Sequence, residues 1–399
     1  MLIDVPKDIQ IAKCEYTAKK PVKPEKRFAA KDVRLKEAAS CINTADRPFI
    51  YIGGGLINAD AQQEVLELAE TIDAPIGCSF MGISGVPTEH PRFLGMQGMH
   101  GHYASSVSMH HSDCIIALGV RFNDRVTGDR SKFASNARIV HIDVDGAELD
   151  KTVSAAAALR GDVKLTLKRL LPMLKKTEHS EWAKIVDGYK KYEKEIADKR
   201  DGMTPVNVLN TLNGYLKPNT PVATDVGQHQ MWAAQVLKFS KIRRFISSGG
   251  LGTMGFGMGA AIGAYAGTGE RTVLVTGDGS FGMNLNELAT AVSYRVPLVV
   301  LILNNGVLGM VRQWQTLFFD KHYSNTVLNR KTNFVELAHS FGADGCVAES
   351  LDELKSAFDK AFNADGPFVI DCCIDKDEFV LPMLPPGGSM DDIIVKVGD

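Results

Sequence analysis

Two apolar runs, Arg271–Thr276 (RTVLVT) and Pro297–Leu303 (PLVVLIL), flank a stretch, Asn284–Arg295, that reads as an amphipathic helix. Strand, helix and strand in that order admit little besides a parallel crossover. The carboxyl ends of both strands then share one edge of a sheet. Gly277, Asp278, Gly279 and Ser280 follow the first strand there, and Asn304 and Asn305 follow the second. Asp278 and Asn305 would present hard oxygen ligands to a single cation, a set that suits Mg²⁺ when phosphate oxygens complete it. Gly279 and Ser280 let backbone N–H groups approach a diphosphate, and the helix that follows adds its positive end. For Gly277–Gly279 alone the plain alternative is an ordinary strand-to-helix turn. The paired asparagines at the next strand end favour the metal–diphosphate reading.

At 399 residues the chain has room for two or three domains. Its 45 basic and 47 acidic residues are interspersed, which argues against nucleic acid or an anionic membrane as partner. No apolar run approaches the ~20 residues that span a bilayer. Asp4, Lys7, Asp8, Lys13 and Glu15 break any signal-peptide core, so a cytoplasmic protein is expected. The seven cysteines contain no C-x-x-C pair and read as free thiols. His100/His102 and His110/His111 lack the neighbouring Cys or Glu that would complete a zinc site.

The pattern along the chain predicts two open parallel-sheet, three-layer α/β domains. Met1–Pro6 reads as the last strand of a sheet with no other member in this chain, and residues 1–30 as that remnant plus a connector containing Pro21 and Pro24. Residues 31–174 form the first domain, with strands at Pro48–Ile52, Ala74–Cys78, Cys114–Leu118 and Arg138–Ile142. Residues 175–202 read as a charged, solvated linking helix. Residues 203–374 form the second domain, with strands at Pro221–Thr224, Arg244–Ile246, the two runs above and Phe368–Cys372. The Pro-, Gly- and Met-rich tail, 375–399, is either disordered or folded over a site.

Glycine marks three further places. Gly249–Gly259 (GGLGTMGFGMG) precedes an Ala-rich helix; its glycines serve either helix packing or a cofactor face on which Met254 and Met258 press. Asp225–His229 follow a strand and could close the phosphate pocket. Tyr51–Leu56 (YIGGGL) is a turn of the dinucleotide-binding kind, supported by Gly119–Arg125 (GVRFNDR) and His141–Asp145 (HIDVD) at other strand ends. Surface ion pairs with Asp124 or Asp129 are the plain alternative for Arg121 and Arg125.

Gly277–Asn305 resembles the thiamine diphosphate motif. With Met99–Gly101 (MHG), Arg121–Gly128 (RFNDRVTG), Gly227–Trp232 (GQHQMW) and Gly309–Gln315 (GMVRQWQ), essentially the whole chain resembles the large catalytic subunit of acetolactate synthase (acetohydroxyacid synthase). The resemblance implies a decarboxylating condensation of pyruvate with a second 2-keto acid, giving 2-acetolactate or 2-aceto-2-hydroxybutyrate in isoleucine and valine biosynthesis. It implies Mg²⁺ on Asp278, Asn305 and the Val307 carbonyl, and the diphosphate on Gln228, His229, Gly279, Ser280, Leu308 and Gly309. Met254 would bend the cofactor, and Arg125 would take the second substrate's carboxylate. Met99, Met310, Val311 and Trp314 would line the acceptor pocket, with Lys7 near its mouth. FAD would contact Gly53, Gly54, Gly55, Met99, His100, Gly119, Arg121, Asp143 and Asp162; Asn123 stands where the family often has Asp.

The family's pyrimidine-binding domain, with the glutamate that protonates the ring, would lie upstream of this chain. A separately encoded N-terminal domain, a homodimer or higher oligomer and a small regulatory subunit are the expected partners. A related flavin-containing thiamine oxidase or carboligase, and a non-catalytic remnant, are the rival readings.

Overall fold

The structure is a computed structural model that describes residues 3–20 and 26–397. Among the described residues, twelve strands form two six-stranded parallel sheets. The first contains β1 (Pro48–Ile52), β2 (Ile76–Cys78), β3 (Phe93–Met96), β4 (Cys114–Leu118), β5 (Arg138–Asp143) and β6 (Ala157–Arg160). Its order is β3-β2-β1-β4-β5-β6. The second contains β7 (Val222–Thr224), β8 (Phe245–Ile246), β9 (Thr272–Gly277), β10 (Leu298–Asn304), β11 (Asp344–Ala348) and β12 (Phe368–Cys373), in the order β11-β12-β10-β9-β7-β8.

Parallel strands need crossovers, and the crossover helices bury both sheet faces. This is why the central strands are apolar throughout. In the first sheet Ile50, Ile52, Ile116, Leu118, Val140 and Ile142 enter one buried cluster. Phe49, Tyr51, Ile115, Ala117 and Ile139 enter another on the alternate face. The order in which strands are added reverses between β1 and β4 in the first sheet and between β7 and β9 in the second. Ligands of doubly wound sheets sit in the crevice at such points, outside the carboxyl ends of the strands.

Four expectations change. The described residues 3–6 form no strand: Lys7–Ile11 is a short helix without a buried residue, and Met1, Leu2, Pro21 and Pro24 lie outside the described residues. The helix after β9 begins at Asp278 itself, with extended Gly277 as its cap, and Asn284 (φ −144°) breaks it before a 3-10 turn and a second helix, Leu288–Ser293. Strands β3, β6 and β11 are additional; all three are sheet edges, where continuous apolar runs are not required.

The stretch expected to be a solvated linker is the helix Ser180–Ile196, and it covers the Phe49/Tyr51 face of the first sheet. Trp182 and Val186 are buried there, and Trp182 Nε1 donates to the Pro48 carbonyl at 3.1 Å. Among the described residues no helix is long and apolar enough to cross a membrane.

Candidate active site

The two turns of the opening motif stand side by side because β9 and β10 pair in register, Gly277 opposite Leu303. Asp278 is buried at the first position of its helix. Burial pushes its carboxyl up to about 6, while the Gly279 N–H and the Arg330 charge work weakly against that shift. A carboxylate in that setting calls for a cation.

The two asparagines divide their work. Asn304 turns to the sheet, Nδ2 donating to Asp371 Oδ1 at 2.9 Å. Asn305 faces the crevice: its Oδ1 accepts from Val307 N at 3.2 Å, and its Nδ2 donates to Gln228 Oε1 at 3.3 Å. Val307 forms an antiparallel bridge with Val327, flanked by Leu308 N to the Thr326 carbonyl (2.7 Å) and Leu328 N to the Gly306 carbonyl (2.8 Å). Because carbonyls alternate sides along an extended segment, this bridge leaves the Val307 carbonyl pointing away from the 326–328 segment.

Glycine spacing shows how closely the remaining parts converge. A Cβ on Gly277 would lie 2.9 Å from His229 Nδ1. One on Gly309 would overlap Gln228 Oε1, and one on Gly279 would touch Leu308 (3.1 Å) and Met254 Cε (3.8 Å). His229 is buried, its pKa is pushed down to about 3, and its Nε2 has no partner among the described residues. Such an orphaned nitrogen marks a place for a ligand oxygen. Among the described residues no cluster of three His, Cys, Asp or Glu could hold a metal. A cation here would therefore rest on one carboxylate and neutral oxygens, with other ligands completing its shell, which suits Mg²⁺. The residues present fit a Mg²⁺–diphosphate.

Asp225 and Gln228 differ from expectation. Asp225 does not face the phosphate pocket: its Oδ1 accepts from Gly255 N at 2.8 Å and its Oδ2 from Gly257 N at 3.3 Å. It thereby caps the helix Phe256–Thr268 and fixes the loop that carries Met254. The Ser280 hydroxyl bonds back to Gly277 and Thr276, leaving its backbone N–H as the group available to an anion. The Gln228 amide is committed to protein partners, its Nε2 donating to the Glu378 carbonyl (2.7 Å) and Gln313 Oε1 (3.0 Å).

These bonds lead to the tail, which is folded. Val380 and Met383 are fully buried, and Leu384 N donates to the Met99 carbonyl at 2.7 Å. Met99 N donates in turn to the Arg125 carbonyl at 2.7 Å. Gln235, on the helix Gln228–Val236, bridges the His100 and Leu381 carbonyls. The tail thus joins the Met99–Arg125 region of the first domain to the diphosphate side of the second. His100 is buried and its pKa falls to about 4, chiefly through burial and also through the Arg125 charge.

Arg121 and Arg125 are exposed and, among the described residues, form no ion pair. The surface-pair alternative therefore falls; Asp129 instead accepts from Ser131, and Asn123 Oδ1 caps the turn at Arg125 N. On the helix Gly309–Phe318, Arg312 and Gln313 are buried toward the tail, whereas Met310 and Trp314 are half-buried and Val311 is exposed. Lys7 is exposed on its short helix, and no described contact brings it to this region.

Gly53, Gly54, Gly55 and Gly119 meet at the switch point of the first sheet. A Cβ on Gly53 or Gly55 would overlap Gly119, which is itself at φ +61°, so close packing of the two turns requires these glycines whatever lies above them. Gly54 alone has room, with an ordinary contact to Met81. Asp143 is buried, and burial raises its pKa; Asp162 caps the helix Val163–Leu170 and pairs with Arg27 at 3.6 Å.

Comparison with known proteins identifies both domains. Residues 35–170 match the thiamine pyrophosphate enzyme central domain, and residues 225–372 match the thiamine pyrophosphate enzyme C-terminal TPP binding domain. The fold is that of the thiamine diphosphate enzymes. The chain is 37% identical over 396 residues to the acetolactate synthase isozyme 1 large subunit of Escherichia coli K12, covering 98% of this chain and 70% of that one. It is 40% identical over 410 residues to a probable acetolactate synthase large subunit of Methanocaldococcus jannaschii (98% and 69% covered). It is 38% identical over 408 residues to the Escherichia coli K12 isozyme 2 large subunit (100% and 72%). The chain belongs to the acetolactate synthase large-subunit family.

Proposed function

We propose that this chain carries out the decarboxylating condensation of pyruvate with a second 2-keto acid, pyruvate or 2-ketobutyrate, in branched-chain amino acid biosynthesis. Thiamine diphosphate, Mg²⁺ and FAD are its cofactors. The observation that carries the reading is the convergence of a buried, cation-seeking Asp278, the turned-out Val307 carbonyl and the orphaned His229 Nε2 at one switch point. When bound, thiamine diphosphate supplies an electron sink for decarboxylation.

Asp278, Asn305 and the Val307 carbonyl hold Mg²⁺. The backbone of Gly279, Ser280, Leu308 and Gly309, with His229 Nε2, holds the diphosphate. Gln228 supports this set by aligning Asn305 and anchoring the tail. Met254, fixed through Asp225, presses on the cofactor from beside Gly279. Arg125, paired with no carboxylate among the described residues, receives the acceptor's carboxylate, while Met99, Met310, Val311 and Trp314 exclude water around it. Gly53–Gly55, Met99, His100, Gly119, Arg121, Asp143 and Asp162 form the flavin side. Leu251, Met283, Val311 and Val327 are exposed near the crevice, which supports a homodimer or larger assembly.

Acetolactate formation from pyruvate tests the reading, with all three cofactors present and with the chain both alone and supplemented by an N-terminal domain in trans. Absence of product in both arms overturns it, and bleaching of the flavin by pyruvate would point to an oxidase. Arg125→Ala should leave thiamine diphosphate binding unchanged and raise the acceptor KM by about 10–100-fold, the worth of a charge-assisted carboxylate contact. Competition between pyruvate and 2-ketobutyrate reads that effect directly.

A further inference from the structure

The segment Thr326–Arg330 touches both halves of the motif that opened the sequence. At one end it bridges the turn bearing Val307, through the Leu308–Thr326 and Leu328–Gly306 hydrogen bonds. At the other end Arg330 Nη1 donates to the Asp278 carbonyl at 3.0 Å. A tight turn, Arg330 N to the Leu328 carbonyl at 2.7 Å, joins the two contacts. One short stretch thereby sets how far Asp278 stands from Val307.

The guanidinium reaches Asp278 only across Gly282. A Cβ there would overlap Arg330 Nη1 and lie 3.1 Å from its Cζ and 3.5 Å from its Nη2, so its three nearest neighbours are all atoms of that guanidinium. Gly282 lies inside the helix Asp278–Asn284, where glycine is a poor helix former. It sits where the arginine needs the space.

We infer that Arg330 is a positioning residue for the metal–diphosphate site, clamping the Asp278 turn to the Val307 turn through the gap left by Gly282. The inference rests on the Mg²⁺–diphosphate reading above. The clamp holds two ligands from different strand ends at one separation before the cation arrives, so its loss weakens ligand binding more than it weakens the fold. Its charge also lies beside the place where the diphosphate brings negative charge.

Isothermal titration of Mg²⁺–thiamine diphosphate into the wild-type chain, Gly282→Ala, Arg330→Ala, Arg330→Lys and the double Gly282→Ala/Arg330→Ala variant tests this, with unfolding temperatures measured ligand-free. Each alanine variant should raise Kd about tenfold, as expected for one lost charge-assisted hydrogen bond. The double variant should be no weaker than the worse single variant, because both remove the same contact. Arg330→Lys should fall between wild type and Arg330→Ala. The ligand-free unfolding temperature of Gly282→Ala should be unchanged or higher, which separates positioning from stability. Wild-type affinity in the single variants, or additive losses in the double variant, overturns the inference while leaving the proposed function standing. Failure of the wild-type chain to bind overturns both.

Discussion

Replacing Asp278 by asparagine should stabilise the ligand-free chain and abolish its binding of Mg²⁺ and thiamine diphosphate. The carboxyl titrates near its ordinary 3.8 when unfolded and at about 6 when folded, because burial disfavours the charged form. Below the unfolded value both states are protonated, and the group costs nothing. As pH rises from 3.8 to about 6 the unfolded state loses its proton first, so folding is progressively penalised, and above that the penalty is constant. The full difference is on the order of 2–3 kcal/mol. Asparagine keeps the shape without the charge and removes this penalty. The unfolding temperature near pH 8 should therefore rise by a few degrees, and the two proteins should converge near pH 3.

Ligand reverses the ranking. Mg²⁺–thiamine diphosphate at about a hundred times its Kd should stabilise the wild-type chain by about 2.7 kcal/mol and leave the variant unmoved. Identical melting curves at every pH, or a retained ligand-induced shift in the variant, would sink the argument. The site is thus stored at a cost to the empty protein, as expected of a buried charge awaiting its partner.

What could be read from the sequence follows from where each residue gets its constraint. β1, β4, β9 and β10 are buried on both faces, so their apolar runs announce them. β3, β6 and β11 are edges and carry sequences such as FLGM and DGCVA, in which little distinguishes strand from loop. The helix Ser180–Ile196 was legible as a helix, but its packing on the first sheet was not, because a largely charged surface hides a narrow buried stripe, Trp182 and Val186, four residues apart. In the site, residues at strand ends were legible because parallel topology brings those ends to one edge. The roles of Asp225, Gln313 and Arg330 were not, since each acts on backbone groups far along the chain, at Gly255, Val380 and Asp278 respectively. Side-chain to backbone bonds of that range leave no spacing to read.

Gln313→Ala should open the tail. Gln313 is sealed from solvent and makes four bonds with three residues: its Oε1 accepts from Gln228 Nε2 at 3.0 Å and from Val380 N at 2.8 Å, and its Nε2 donates to the Val380 carbonyl at 3.1 Å and to Met383 Sδ at 3.5 Å. Truncation leaves the buried Val380 N–H unpaired and takes a donor from its carbonyl, at about 1–3 kcal/mol each, and frees one donor of Gln228. A local loss of about 3 kcal/mol corresponds to roughly a hundredfold larger population of the opened tail. Cleavage between residues 375 and 397 by a protease in limiting amounts should accelerate by that factor, while the core of both sheets, which Gln313 does not touch, stays protected. Gln313→Glu retains the acceptor but loses the donor to Val380, so its rate should lie between the two. The tail connects Met99 and His100 of one domain to Gln228 of the other, and its release uncouples the acceptor side from the diphosphate side. Cleavage no faster than in the wild-type chain would mean that Arg200–Glu378, Arg312–Asp377 and Trp232–Phe379 hold the tail without Gln313. The two sides of the site would then be joined through the rim of the tail rather than through its buried centre.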